Sequence, residues 1–479
     1  MTSRIDHCAA DTSAPRQALS LQHQLLYALP SIGMVYFSIA VSVIQGVYAK
    51  YFGLALSSIA IILLVSRLFD VITDPLVGYF SDCVRARTGS RKPLIALGSL
   101  AIILSGYFLF VPVDPSLVNA STQVSGVYFA ICYLAFYFSL TLCFIPHYAW
   151  GSELAKTGHE KTSIFALLAF ANVIGAALFF VMPLLPWFDT TAITPESLQW
   201  TAIASAGLIL PALYVSLKRV PDEPGKKAAS AKLRPTKNAL CHQATIFFSM
   251  LSNNKPLQLF LMIVLLSGLG LGIFTSMTFI FIDSFLGMGE AFSKLSLITL
   301  LVSACSLKFW YWLAVNHGKR ISWALGGGIT IIGLLAFMSL RPNDISFMHL
   351  LIVYSTVSFG LGSANMVPPA LLSEIIDYSR WKYKVDCAGS IFSLYPLIGK
   401  FNFALGGSIG FFIVDWYGFE VTNAIHSSEA KFGLYLVVSG LPALLILLSL
   451  VFIYFMPITT RHHDIVRRRL EAENTVNKD

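Results

Sequence analysis

Charge is scarce in this sequence: Asp, Glu, Lys and Arg make up 12% of its 479 residues, about half the share usual in a soluble domain. With hydrophobic residues at 56% and a mean hydropathy of +0.70, a water-soluble globular fold is excluded. Cysteine offers no framework either. Cys8, Cys83, Cys132, Cys143, Cys241, Cys305 and Cys387 are scattered with no CxxC spacing, which points to neither a disulfide scaffold nor a zinc site. There is no phosphate-cradling GxxxxGK[ST] loop, which argues against ATP-driven work, and no HExxH to suggest a membrane metalloprotease. No enzyme activity and no organic cofactor are expected. Residues 1–23 lack a short apolar core followed by a small-residue cleavage site, so a cleaved signal peptide is not expected.

What the sequence does have is apolar length. Runs of about 20 residues, the length that crosses a bilayer core, recur near 25–48, 53–80, 93–113, 126–151, 163–187, 198–217, 257–286, 291–315, 321–340, 346–373, 387–414 and 432–456. The expected fold is an all-α integral membrane protein with twelve transmembrane helices. Lys and Arg test the count, because they gather in cytoplasmic loops. If both termini are cytoplasmic, only Lys50, Lys294, Arg341 and Lys431 of the 33 basic residues fall in outer loops, and only Arg67, Lys308 and Lys400 fall within helices. The formal net charge of +8 then reads as an inner-leaflet bias, with membrane lipid and not nucleic acid as its partner. A bacterial inner membrane, or a plasma membrane, is the expected location, and a monomer the expected state.

Residues 218–255 are hydrophilic, with Pro221, Pro224, Gly225 and Pro235, and have the composition of a linker. They divide the chain into a cytoplasmic tail 1–24, a six-helix bundle 25–217, the linker, a second six-helix bundle 256–456 and a cytoplasmic tail 457–479. The halves echo each other. Gly89-Ser90-Arg91-Lys92 follows the second helix and Gly318-Lys319-Arg320 the eighth; Ser152-Glu153-Leu154 follows the fourth and Ser373-Glu374-Ile375 the tenth. That placement is what two parallel six-helix repeats produce.

The second helix carries the densest intramembrane chemistry. Arg67, Asp70 and Asp74 lie three and four residues apart, so a cation and two carboxylates share one helical face. Each such charge costs roughly 2.5–3.5 kcal/mol at the centre of a spanning helix, which marks the face as functional. Pro75 cannot donate to the Val71 carbonyl and frees an oxygen beside the carboxylates. Small hard cations favour such oxygens, and Asp70, Asp74, Thr73 and Thr141 are the candidate ligands, with Na⁺ a candidate ion at Asp70 and Asp74. The alternative is a structural ion pair between helices.

The run Asp70-x3-Asp74-Pro75-x2-Gly78-x2-Ser81-Asp82-x4-Arg87-x-Gly89-x-Arg91-Lys92-Pro93 resembles the signature of the glycoside-pentoside-hexuronide:cation symporters, the melibiose-permease branch of the major facilitator superfamily. Ile145-Pro146-His147-Tyr148-Ala149-Trp150-Gly151-Ser152-Glu153-Leu154 and the stretch from Ser373-Glu374-Ile375-Ile376-Asp377-Tyr378 to Gly399-Lys400 resemble two further blocks of that family. The resemblance implies cation-coupled symport of a sugar, glycoside or related solute by alternating access. It implies Na⁺, Li⁺ or H⁺ binding at Asp70, Asp74 and Thr141, and a Lys400 that faces the carboxylates across the central cavity. It also implies a cytoplasmic gate in which Asp82, Arg87 and Arg91 meet Glu153, Glu374 and Asp377. Arg67, Tyr148, Trp150 and Tyr395 are further candidates for substrate binding or coupling.

The sequence departs from that family where sugars are held. The first helix has no acid, Phe144 stands where an acid is expected, and Leu168 lies near the place of an expected arginine. Arg67 and Lys400 balance Asp70 and Asp74, so a bound cation leaves about one positive charge for the solute to answer. An anionic or amphipathic solute is therefore expected. The alternatives are a lysolipid-like solute, a cation-independent uniporter and a non-transporting sensor.

Overall fold

In a lipid interior every backbone N–H and C=O must find its partner within its own segment, so each apolar run folds as a helix. The computed structural model describes residues 20–112, 124–154, 158–221, 254–342, 345–383, 388–421, 423 and 426–457. Nearly all of the expected linker and tails lie outside the described residues. Twelve helices long and apolar enough to cross a membrane are found among them. These are α1 (Leu21–Tyr51), α2 (Leu56–Thr88), α3 (Lys92–Phe110), α4 (Gly126–Leu154), α5 (Gly158–Val181), α6 (Pro195–Arg219), α7 (Lys255–Phe285), α8 (Gly289–His317), α9 (Lys319–Ala336), α10 (Phe347–Tyr383), α11 (Ala388–Trp416) and α12 (Ser428–Tyr454). Each expected span coincides with one of them.

Several helices outrun their apolar stretch. The charged segment after the second span is still helical, and α2 carries Asp82, Arg85 and Arg87 to its end at Thr88. Gly89 then stops it at φ 79°, where its N–H reaches the Arg85 carbonyl at 2.8 Å. A left-handed glycine cap of this kind closes a helix at no steric cost. The α4 helix likewise runs through Pro146 to Leu154, and α10 through Pro368 and Pro369 to Tyr383. Pro146 therefore does not end its helix. Several buried hydroxyls are satisfied inside their own helices, as when Ser99 Oγ donates to the Ile95 carbonyl at 2.8 Å and Thr330 Oγ1 to the Gly326 carbonyl at 2.9 Å.

Helix packing follows the chain. α1 lies against α5 and α6, α3 against α4 and α6, and α2 against α4; in the second set α7 lies against α11 and α12, α9 against α10 and α12, and α8 against α10. The two sets of six meet where α2 runs along α11 and α5 along α8. Close crossings use glycine. A Cβ at Gly406 of α11 would lie 2.6 Å from the Gly272 carbonyl carbon of α7, and one at Gly272 would lie 2.4 Å from the Asn402 carbonyl oxygen. Small residues let backbones touch where no hydrophobic force draws helices together. Gly406→Leu is expected to push α7 and α11 apart and cost at least about 1–3 kcal/mol. A lowered unfolding midpoint in detergent checks this, and an unchanged midpoint contradicts it.

Candidate functional site

The face expected on α2 forms one wall of a cavity of about 370 Å³ between α2 and α11. Arg67, Asp70, Val71, Asp74 and Pro75 line it from α2, and Leu397, Ile398, Lys400 and Phe401 from α11. Arg67 and Asp70 are buried, and Arg67 Nη1 donates to Asp70 Oδ2 at 2.8 Å across one helical turn. Asp74 joins three helices. Its Oδ1 accepts from Thr141 Oγ1 of α4 at 2.9 Å, and its Oδ2 accepts from Lys400 Nζ of α11. Asp70 Oδ1 is buried without a hydrogen-bond partner.

Four predicted site residues therefore converge with Thr141 beside them: Arg67, Asp70, Asp74 and Lys400. Thr73 is buried next to them, but its hydroxyl donates to the Phe69 carbonyl of its own helix at 3.1 Å. The polar groups suit a small monovalent ion better than a divalent one. Only two carboxylates are present, two fixed cations oppose them, and no cluster of three or more His, Cys, Asp and Glu occurs among the described residues.

The aromatic candidates are placed differently. Trp150 is 3% exposed, packed edge-on against Tyr27 at 5.4 Å between ring centres, so it sits inside the first bundle and does not face the α2–α11 cavity. Tyr395 packs on Phe260 at 6.4 Å. Tyr148 is open, and it stacks between Phe144 at 6.0 Å and Phe165 at 6.4 Å. Phe144, where an acid is expected, is thus one step of an aromatic ladder.

At the arginine-rich end, Arg91 is the centre of a cluster. It donates to Asp82 at 2.5 Å, Ser81 at 2.5 Å and Glu153 at 3.1 Å, and Arg85 pairs with the same Glu153 at 2.6 Å. Burial opposes the Arg91 charge, but these acceptors outweigh it and raise its pKa. In the second half Lys319 pairs with Glu374 at 2.6 Å. The sequence echo is therefore physical: in each half, the basic residue after one helix reaches the Glu two helices on. Of the residues expected in the gate, Arg91 meets Glu153 within the first half, and Glu374 meets Lys319 within the second. Arg87 is exposed and Asp377 half-buried. At the opposite end Lys50 of α1 meets Asp283 of α7 at 2.7 Å, a pair the charge count did not bring out because Lys50 was placed in a loop. An acid at the end of an apolar run was the signal available for it.

The MFS/sugar transport protein family matches residues 26–460. The chain is 23% identical to the glucuronide carrier protein homolog of Escherichia coli, covering 86% of this chain and 87% of that one. It is 24% identical to the sodium-dependent lysophosphatidylcholine symporter 1 of Gallus gallus, covering 83% and 79%. In fold it resembles the crystal structure of a D-xylose-proton symporter with a TM-score of 0.64 at 14% identity, over 90% of this chain and 97% of that one.

Proposed function

The chain belongs to the MFS/sugar transport protein family, and from that membership we propose a cation-coupled symporter of an anionic or amphipathic organic solute, working by alternating access. A membrane transporter of this family is not an enzyme. The observation that carries the coupling is the position of Lys400. Its ammonium, supplied by α11, is seated on Asp74 of α2, where a coupling ion would also sit. Na⁺, Li⁺ or H⁺ arriving at Asp74 competes with the ammonium, and the released Lys400 then faces the cavity as a free charge. Cation and solute binding are thereby linked, and such linkage is reciprocal in free energy. Asp70, Asp74 and Thr141 are the proposed ion ligands, with Thr73 beside them. Arg67 and Lys400 are the groups proposed to answer an anion.

The rest of the lining is apolar: Val71 and Pro75 from α2, and Leu397, Ile398 and Phe401 from α11. A solute that joins a charged group to an apolar body fits this lining better than a neutral hexose, which needs a ring of hydrogen-bonding partners. The relatives named for glucuronide and lysophosphatidylcholine agree with such a solute, and the apolar lining gives weight to the lipid-like alternative. A thermal-shift screen with neutral glycosides, glucuronides and lysophospholipids, each with and without Na⁺, tests this, because a ligand that binds only the folded state raises the midpoint. Stabilisation by glucuronides or lysophospholipids that Na⁺ strengthens is expected. Stabilisation by neutral glycosides alone would overturn the charge argument.

A further inference from the structure

An arginine beside a carboxylate usually closes a two-bond fork, and a fork is the stronger and more specific contact. Arg67 and Asp70 do not close one. Nη1 meets Oδ2 at 2.8 Å, while Arg67 Nε and Asp70 Oδ1 are both buried with no partner. A buried carboxylate oxygen left unpaired is costly, and the second terminal nitrogen of the guanidinium, on the same edge as Nη1, would relieve it by closing the fork. Something holds the guanidinium back.

That restraint lies on α4. The Arg67 guanidinium carbon sits 4.3 Å from the centre of the Tyr137 ring, which is within cation–π range. Tyr137 is itself anchored. Tyr133 Oη donates to Tyr137 Oη at 3.3 Å, and Gln45 Nε2 of α1 donates to Tyr133 Oη at 3.2 Å. Tyr133 and Gln45 are buried at 0% and 3% exposure. A polar chain through three helices therefore ends on the face of the arginine. Nothing in the proposed ion ligation uses it.

We infer that Tyr137 is a positioning residue for the coupling-ion site, which holds Arg67 on one oxygen of Asp70 and keeps the other, Oδ1, open to the ion. This rests on the coupling reading above. Without the ring, Arg67 turns to fork both oxygens, and the ion must displace an arginine as well as the Lys400 ammonium. The ring face meets the guanidinium and the hydroxyl anchors the ring, so loss of the hydroxyl alone is expected to loosen the restraint only in part.

The test uses purified full-length protein in detergent. Midpoint stabilisation is titrated with Na⁺ and with Li⁺, and proton binding is followed by acid titration. Tyr137→Leu, with Tyr137→Met as a second variant should the first not fold, is expected to raise the half-saturating ion concentration about tenfold. Tyr137→Phe is expected to stay within about twofold of the native protein. In an Arg67→Gln background the effect of Tyr137→Leu is expected to vanish, because no guanidinium is left to close the fork; such a cycle isolates the pairwise coupling. An unchanged half-saturation in both the Leu and Met variants, or the same tenfold rise in the Arg67→Gln background, overturns the inference while the coupling reading stands. A native protein that binds none of the three ions, and behaves like Asp74→Asn, overturns the coupling reading and this inference with it.

Discussion

Asp74→Asn is expected to abolish the response of the protein to its coupling ion, raising the half-saturating concentration about a hundredfold or more, while the protein still folds. The carboxylate takes part in two contacts, from Thr141 and from Lys400. An asparagine oxygen can still accept from Thr141 Oγ1, which preserves packing, but it carries no charge for an ion or an ammonium. Hydrogen bonds to a charged group are worth roughly 1.5–3 kcal/mol, and tenfold in affinity corresponds to about 1.4 kcal/mol, so losing one of two carboxylates reaches the hundredfold range. Lys400→Met is expected to act in the opposite sense on binding. With the competing ammonium gone, Asp74 takes the ion more tightly, by up to about tenfold, yet net uptake falls because the empty carrier has lost the charge that neutralises Asp74 on its return. Titration of Na⁺ and Li⁺ against unfolding midpoint, with proton-driven uptake as the third arm, measures both. If Asp74→Asn responds to every ion as the native protein does, Asp74 is structural and the coupling proposal is wrong.

The helices were legible because composition alone forces them: a run such as Leu441–Tyr454 has no other way to satisfy its backbone in lipid. The Arg67, Asp70 and Asp74 face was legible for a related reason, since spacing puts the three on one side of a helix and burial of charge needs a purpose. What spacing cannot show is a partner from another helix. Lys400 reached the site by resemblance, Thr141 was proposed for its hydroxyl oxygen and then supported by resemblance, and Tyr137 was invisible, because an aromatic in an apolar helix looks the same whether it faces lipid or an arginine. Trp150 illustrates the converse. It lies in a recognisable block, yet its ring packs against Tyr27 and His147 in the core. The gate residues were identified by type, with Glu153 named as an acidic partner, but not the basic side chain that each acid would meet. A carboxylate such as Glu153 pairs with whichever basic side chain the fold brings within reach, here Arg85 and Arg91, and that distance is a property of packing between α2, α3 and α4.

The largest conformational effect is expected from Lys50→Met. Lys50, in the last turn of α1, and Asp283, in the π-helical turn Phe281–Phe285 that ends α7, join the two halves at the end opposite the arginine cluster. The Asp283 side chain is 1% exposed and that of Lys50 30%. A Cβ at Gly289 would lie 2.0 Å from Asp283 Oδ1, so glycine makes room for the buried carboxylate. Beside the pair, Thr190 and Thr191 donate to Glu290 at 3.3 and 2.8 Å, and Phe180 meets Phe292 at 6.4 Å. For a carrier of this fold to open at this end, all of these contacts must part. Removing the lysine strands a buried carboxylate, which costs about 3–5 kcal/mol and is relieved only where Asp283 meets water, in the state with this end open. Asp283→Asn is expected to do less, because the lysine left behind already reaches solvent. The double variant Lys50→Met with Asp283→Asn is expected to recover much of the native distribution, since no charge is stranded. Spin labels at Trp187 and Trp416, which are 78% and 77% exposed, report the separation of the halves in a background with the native cysteines replaced. Lys50→Met should populate longer distances than either the native protein or the double variant. Equal displacement in Lys50→Met and in the double variant would mean that the pair is an ornament of the closed end and not the contact that holds it.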